Sequence, residues 1–400
     1  MRKKPNKNHG GKEFFNEFHF VGQVKKTVKG VGDNAEVKPI FELTQTKTNK
    51  PRRVLQFDIL THKHNRLKVD MGGMEFPIVT LWSSTESKSA KIPWKDRLDK
   101  SKYPNTTYTI IGGTEWDNCA TWGGLLSEGA WVEVKGVYEF DSYINPEGKV
   151  YLIVKRRPTS ITFIKESEKI SVHIAYATQR LEIAAPEEKI AIQKELDQWR
   201  EEAKEHAIKL ANGESDINEV TCNKQKIDYV CDFDSPDFQE VNHFVMELGI
   251  RSTYQDDETK NTRVNGVFLG WGKERSTPKN VELDVYYKPP VGNETPMADG
   301  FASLSRLDFV EVRGTDNNRL EFAEVEEEAD DDFDPFANVL EQEAKTNIAI
   351  SGRRKGLEIL APIGKPKKDF LTEEEISDDL PDFCGEGNPF PDLDSEEDPF

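Results

Sequence analysis

The chain has 400 residues, 36% of them hydrophobic and 32% charged, with a formal net charge of −19. That is too polar for one compact globule of this length, so part of the chain is expected outside any core. No run of 18 apolar residues offers a transmembrane helix, and the basic stretch 1–12 has no apolar signal core behind it. Cys119, Cys222, Cys231 and Cys384 are scattered without CxxC spacing, which points to a reducing, cytoplasmic setting and away from structural zinc.

The charge is unevenly spread. Residues 1–165 hold 28 Lys+Arg against 18 Asp+Glu, residues 166–325 hold 19 against 32, and residues 326–400 hold 7 against 23. A basic front and an acidic rear fit a nucleic-acid-binding module followed by an acidic tail.

In chain order, residues 1–17 read as a flexible basic arm carrying Arg2, Lys3, Lys4, Lys7 and Lys12, suited to backbone contacts without sequence preference. Residues 18–165 read as short strands at 18–29, 52–60, 66–71, 76–82, 108–111, 131–140, 150–155 and 160–164. Within 131–140 the alternation is clear: Val132, Val134, Tyr138 and Phe140 share one face, Glu133, Lys135 and Glu139 the other. Gly136 breaks that run where a bulge is expected. Asn145-Pro146-Glu147-Gly148 closes a hairpin onto Val150, and residues 112–124 read as a Gly-rich loop holding Trp116 and Trp122.

Residues 166–237 read as a connector with one helix at 186–211. Pro186 suits its first turn, Ile192, Leu196, Trp199, Ala203, Ala207 and Leu210 recur at helical spacing, and Asn212-Gly213 stops it. Residues 238–325 return to about five strands, at 241–252, 263–271, 281–287, 309–314 and 320–325. Trp131-Val-Glu-Val-Lys-Gly136 is echoed 178 residues later by Phe309-Val-Glu-Val-Arg-Gly314, a short trace of a duplicated β-barrel module. Residues 326–400 lack the apolar content to offset chain entropy and read as a disordered tail, with a basic island from Arg353 to Lys368.

Two constellations carry chemistry. The rear of the chain contains Asp334-Pro335-Phe336, Asn388-Pro389-Phe390 and Asp398-Pro399-Phe400. A terminal Phe joins a ring to a carboxylate, which suits an apolar pocket rimmed by Arg or Lys. The stretch 82–103 holds six Lys+Arg and three Asp+Glu with Trp82, Trp94 and Tyr103 interleaved. Aromatic platforms for bases with cations for phosphates are what single-strand binding needs. Its candidates are Trp82, Lys88, Lys91, Trp94, Lys95, Arg97 and Tyr103, joined by Arg52, Arg53, Lys155, Arg156 and Arg157 at strand ends. Phe57 and Tyr138 suit core packing better than stacking.

A β region followed by an acidic tail ending in Pro-Phe resembles the bacterial and phage single-stranded-DNA-binding proteins. In that family the tip, typically Asp-Ile-Pro-Phe, recruits replication and repair enzymes; here Glu397-Asp398-Pro399-Phe400 lacks the apolar residue before Pro. The residue pattern reads as a mainly β chain of two OB-like antiparallel barrels joined by a helix, where the usual bacterial protein has one OB domain, which fits a monomer or homodimer; the resemblance implies binding of single-stranded DNA in replication, recombination or repair. Asp398, Pro399 and Phe400 would contact protein partners. The alternative is an OB-like scaffold or virion component whose tail only solubilises. No P-loop, catalytic triad or metal-ligand spacing is present, His62-x-His64 having no third ligand nearby, so neither enzymatic activity nor a cofactor is expected.

Overall fold

The computed structural model describes residues 13–29, 35–46, 48–145, 150–222, 225–270, 278–287, 296–325 and 347–376. The fold is mainly β and is built from two five-stranded barrels. The first contains β1 (Asn16–Lys25), β2 (Pro51–His62), β3 (Asn65–Met74), β4 (Trp131–Ile144) and β5 (Val150–Phe163). β1 pairs antiparallel with both β2 and β4, β2 with β3, and β4 with β5, while β5 packs along β3 to close the ring. The alternating residues of each strand explain the closure. Phe18 and Phe20 of β1, Leu55, Phe57 and Ile59 of β2, Leu67 and Val69 of β3, and Val132 and Val134 of β4 all point inward and are wholly buried. Burying each such side chain contributes roughly 1.5–3 kcal/mol. The helix α1 (Glu115–Leu125) lies against β2 and β3, with Cys119 Sγ 3.5 Å from the Met71 carbonyl.

The second barrel repeats this strand order with β6 (Val241–Gln255), β7 (Thr262–Phe268), β8 (Lys279–Val285), β9 (Phe309–Val325) and β10 (Asn347–Pro362). β6 pairs with β7 and β9, β7 with β8, β9 with β10, and β8 closes onto β10 in parallel through Leu283 and Leu357. Five strands closing in this order form the OB architecture.

Several sequence expectations change here. Phe14 is buried and Asn16 opens β1, so the arm does not extend to residue 17; residues 1–12 lie outside the described residues. Residues 150–155 and 160–164 form one strand, because Pro158 sits opposite Gly136 at a register shift, where a missing N–H costs no ladder bond. Likewise 309–314 and 320–325 are one strand. The loop expected at 112–124 is mostly the helix α1. The largest correction concerns the tail. Arg353, Arg354 and Lys355 of its basic island belong to β10, Lys365, Lys367 and Lys368 follow it, and residues 363–376 wrap the second barrel: Leu371 is buried and Arg251 donates to the Ile376 carbonyl at 2.7 Å. Leu357, Ile359 and Leu371 supply apolar anchors that the average composition of 326–400 hides. Residues 326–346 and 377–400, with all three Pro-Phe motifs, lie outside the described residues.

The connector holds two helices, α2 (Glu166–Ile183) and α3 (Pro186–Ala211), packed as a hairpin. Asp216 caps α2 from outside, accepting from Ser167 N at 2.8 Å, and His173 stacks on Trp199 at 4.1 Å between the helices. α4 (Met297–Ala302) and α5 (Glu373–Ile376) are short and pack on the second barrel.

The 178-residue echo lies within a deeper match between the barrels. Phe18 pairs with Gly136 and Phe244 with Gly314. At each glycine a Cβ would strike that phenylalanine ring and a carbonyl of the next strand, Arg157 in one barrel and Glu358 in the other, so only glycine fits. Asn16 Nδ2 donates to the Tyr138 carbonyl at 3.2 Å, and Asn242 Nδ2 to the Asp316 carbonyl at 2.9 Å, each two residues past its glycine. The barrels also pack on each other as near-equals. β1 and β6 pair antiparallel, with Phe18 opposite Phe244 and His19 opposite His243. Phe14, leading into the first barrel, packs on Phe309 of the second at 5.4 Å; Phe233, leading into the second, packs on Trp131 of the first at 4.7 Å.

The seam encloses a buried ion pair. Arg156 donates to both oxygens of the fully buried Asp316 at 2.6 and 2.7 Å, and the Tyr138 hydroxyl donates to it at 3.0 Å. Burial and the Asp316 charge hold the Tyr138 phenol well above its usual range. Replacing Asp316 by Ala leaves the Arg156 charge buried and unpaired, and is expected to cost about 3–5 kcal/mol in equilibrium urea denaturation.

Burial lowers the pKa of His62, His173 and His243. His243 faces His19 and Arg313, which lower it further, and Glu240, which raises it. A histidine with a depressed folded pKa binds its proton more readily when unfolded. Stability is therefore complete above about pH 6.5 and falls as the pH drops below it. Thermal melts between pH 8 and pH 5 should show a falling midpoint on the acid side.

Candidate nucleic-acid interface

OB barrels hold oligonucleotides on the outer face of their second and third strands and on the adjoining loops. In the first barrel the outward residues of β2 are Arg52, Val54 and Gln56, opposite Met74, Gly72 and Asp70 of β3. The Arg52 guanidinium lies across Gly72, in the space a Cβ would fill. Arg52 is exposed, and among the described residues no carboxylate forms an ion pair with it. A flat, unpaired guanidinium on an open sheet can stack on a base or bind a phosphate.

The segment between β1 and β2 borders this face. It carries eight Lys+Arg against three Asp+Glu over residues 25–53. Lys26, Lys29 and Lys50 are exposed, beside the short strands Val28–Lys29, Glu36–Val37 and Phe41–Gln45. Reading by aromatic interleaving passes over these lysines, because the segment contains only Phe41. The charge count over the segment is the signal that finds them.

Between β3 and β4 the chain inserts a flap. Ile78–Ser83 pairs with Lys88–Pro93 and with Thr109–Ile110. One side of this small sheet packs Val79, Leu81, Ile92, Trp94 and Tyr108 against Trp116 of α1. The other side faces solvent and bears Trp82, 38% exposed.

The structure divides the twelve sequence candidates evenly. Six have structural tasks. Trp94 is buried, with the Arg97 guanidinium 4.2 Å above its ring. Arg97 also makes two 2.8 Å bonds to Asp117 of α1, and the Tyr103 hydroxyl donates to the Arg97 carbonyl at 2.6 Å, so these three tie the flap to the barrel. The hydrogen bonds to Asp117 and its charge hold the Arg97 pKa above its usual value. Arg53 stacks on Trp116 at 4.2 Å and donates to its carbonyl. Arg156 is taken by Asp316, and Arg157 by Glu139 at 2.6 Å and Glu115 at 3.4 Å. Each is drawn inward because a neighbouring element supplies a carboxylate or ring, which spacing along the chain does not reveal. The other six, Trp82, Lys88, Lys91, Lys95, Arg52 and Lys155, are exposed. Trp82 and Lys91 share the outward side of the flap hairpin, Lys88 lies at its turn on the other side, Arg52 lies on the barrel face, and Lys155 stands opposite Glu139 on β5. Phe57 and Tyr138 are core residues.

No reaction centre is apparent among the described residues. One concavity, about 1110 Å³, is an open groove on the helical hairpin lined by Ile190, Asp197 and Glu201 with Leu181, and no Ser, Thr, Cys or His lines it. No three His, Cys, Asp or Glu side chains there cluster as metal ligands. Burial raises the Cys231 thiol to about 11, which keeps it protonated.

No protein-family model matches the chain, and no curated protein is significantly similar to it. Among solved structures it is similar to the wild-type single-stranded DNA binding protein from Thermus aquaticus, at 11% identity and a TM-score of 0.31, covering 76% of this chain and 86% of that one. A deletion mutant of the same protein gives 10% identity and a TM-score of 0.32, covering 76% and 88%. Likeness this distant carries no weight for function; the interface stands on its own geometry.

Proposed function

We propose that the chain binds single-stranded DNA without strong sequence preference, protecting it during replication, recombination or repair. The observation that carries this reading is Arg52, unpaired and laid flat across Gly72 on the binding face of an OB barrel. The lysines of residues 25–50 and the net positive charge of residues 1–165 support it. Counterion release from phosphates supplies affinity, and stacking on flat groups supplies tolerance of sequence. Residues 166–325 carry 19 Lys+Arg against 32 Asp+Glu, a net negative charge that suits protein contact better than DNA.

Fluorescence anisotropy with labelled dT oligonucleotides and matched duplexes across a salt series tests this. Single strands should be preferred, with log affinity falling by about 0.7 per neutralised phosphate for each log unit of salt. Arg52→Ala should weaken binding roughly tenfold and flatten that slope. Absence of single-strand binding at low salt overturns the reading.

Recruitment of partner enzymes belongs to the same proposal and rests on the Asp398-Pro399-Phe400 segment and the acids before it. Removing residues 394–400 should spare or tighten DNA binding and abolish co-purification of replication or repair proteins. Retention of those partners by the truncated chain overturns the recruitment role.

A further inference from the structure

The flap is absent from the second barrel, where the link between β8 and β9 carries only α4 among the described residues. It is also over-built for a loop. It has its own core of Val79, Leu81, Ile92, Trp94 and Tyr108, and a two-bond ion pair to α1. That framework fixes the orientation of one small sheet face. In an antiparallel ladder, paired residues share a side, so Ile78, Thr80 and Trp82 stand beside Ser89 and Lys91, with Ile111 bonded across to the Thr80 carbonyl. Ile78 is 49% exposed and Ile111 57%.

Among the described residues Trp94, Trp116 and Trp131 are buried, and Trp122 and Trp199 half-buried. Of the six described tryptophans only Trp82 is exposed, and it lies on the central strand at the hairpin-turn end of this face, between Ser89 and Thr109. The outward residues of the three strands include no carboxylate, and their one charge is Lys91. Glu86, at the hairpin turn, is occupied by Asn105 and Tyr108. An exposed indole with the apolar Ile111 and the cation Lys91 in the next row of the ladder, and no acid, complements an unpaired base attached to a phosphate. It does not complement an acidic peptide, which would need several cations, or a duplex, whose bases are stacked away.

We infer that the flap is a second single-strand contact surface, separate from the barrel face: Trp82 stacks on an unpaired base, with Ile111 as an apolar neighbour one ladder row away, and Lys91 in that same row binds the adjoining phosphate. This deepens the proposed function and rests on it. The face reads no base edge, so it accepts any sequence.

The test uses the full chain, wild type and the variants Trp82→Ala, Trp82→Phe and Lys91→Glu, with labelled dT oligonucleotides and intrinsic tryptophan emission recorded in parallel. Trp82 is exposed, so circular dichroism should be unchanged in all three. Trp82→Ala should weaken binding roughly ten- to a hundredfold, the range for one stacked base. Trp82→Phe should restore affinity to within a few-fold while losing most of the emission quenching seen in the wild type. Lys91→Glu should reduce the salt slope by about 0.7. Wild-type binding with Trp82→Ala within twofold of it, or full quenching retained in Trp82→Phe, overturns the flap assignment alone. Failure of the wild type to bind overturns the flap and the proposed function together.

Discussion

The antiparallel pairing of β1 with β6 is the constraint on which the rest of the molecule depends. It sets Phe18 against Phe244, merges the two barrels into one continuous sheet, and leaves neither first strand with an open edge. Around this ladder the fourth strands cross over. Tyr138 and Asp316 stand at matching positions in their barrels, two residues past Gly136 and Gly314, and meet in one buried hydrogen bond. Arg156 completes the cluster. A buried ion pair contributes little net stability compared with an apolar replacement, but losing one partner costs a great deal. Here it restricts the relative placement of the barrels, since its members come from both.

A duplicated barrel packed on its own copy explains the equivalences, and the differences show how the halves have separated in task. The first half carries the positive charge, the flap and the unpaired Arg52 over Gly72. The second half is acidic, and its fourth and fifth strands are long, with Asn318 of β9 donating to the Arg66 carbonyl at the β2–β3 end of the first barrel. Both halves keep the Asn-x-Phe and Val-Glu-Val-(Lys/Arg)-Gly pairs, because a Cβ at either glycine would displace the phenylalanine at the centre of its barrel.

How much of this was legible in the sequence varies with the range of the interaction responsible. Strand faces followed alternation: Val132, Val134, Tyr138 and Phe140 all point inward, as their spacing implies. The helix 186–211 matched its capping residues because Pro186 and Gly213 act locally. α2 was missed, since its N-terminus is capped by Asp216, about fifty residues away. β10 was missed because its acidic surroundings mask a short apolar pattern that becomes a strand only when β9 and β8 pair with it. At the candidate interface, residue type identified twelve aromatics and cations but not their partners. Trp94 and Trp82 look alike in sequence; one lies under Arg97 in a core and the other faces solvent.

By itself, the sequence determined the β-rich class, the basic front and acidic rear, the connecting helix and the trace of a duplication. These depend on composition and on contacts a few residues apart. Only the tertiary structure decided which cations remain free, because ion pairs such as Arg156 with Asp316 join residues 160 positions apart. It likewise decided where the second barrel ends, because a closing strand is stabilised by partners that no local window contains.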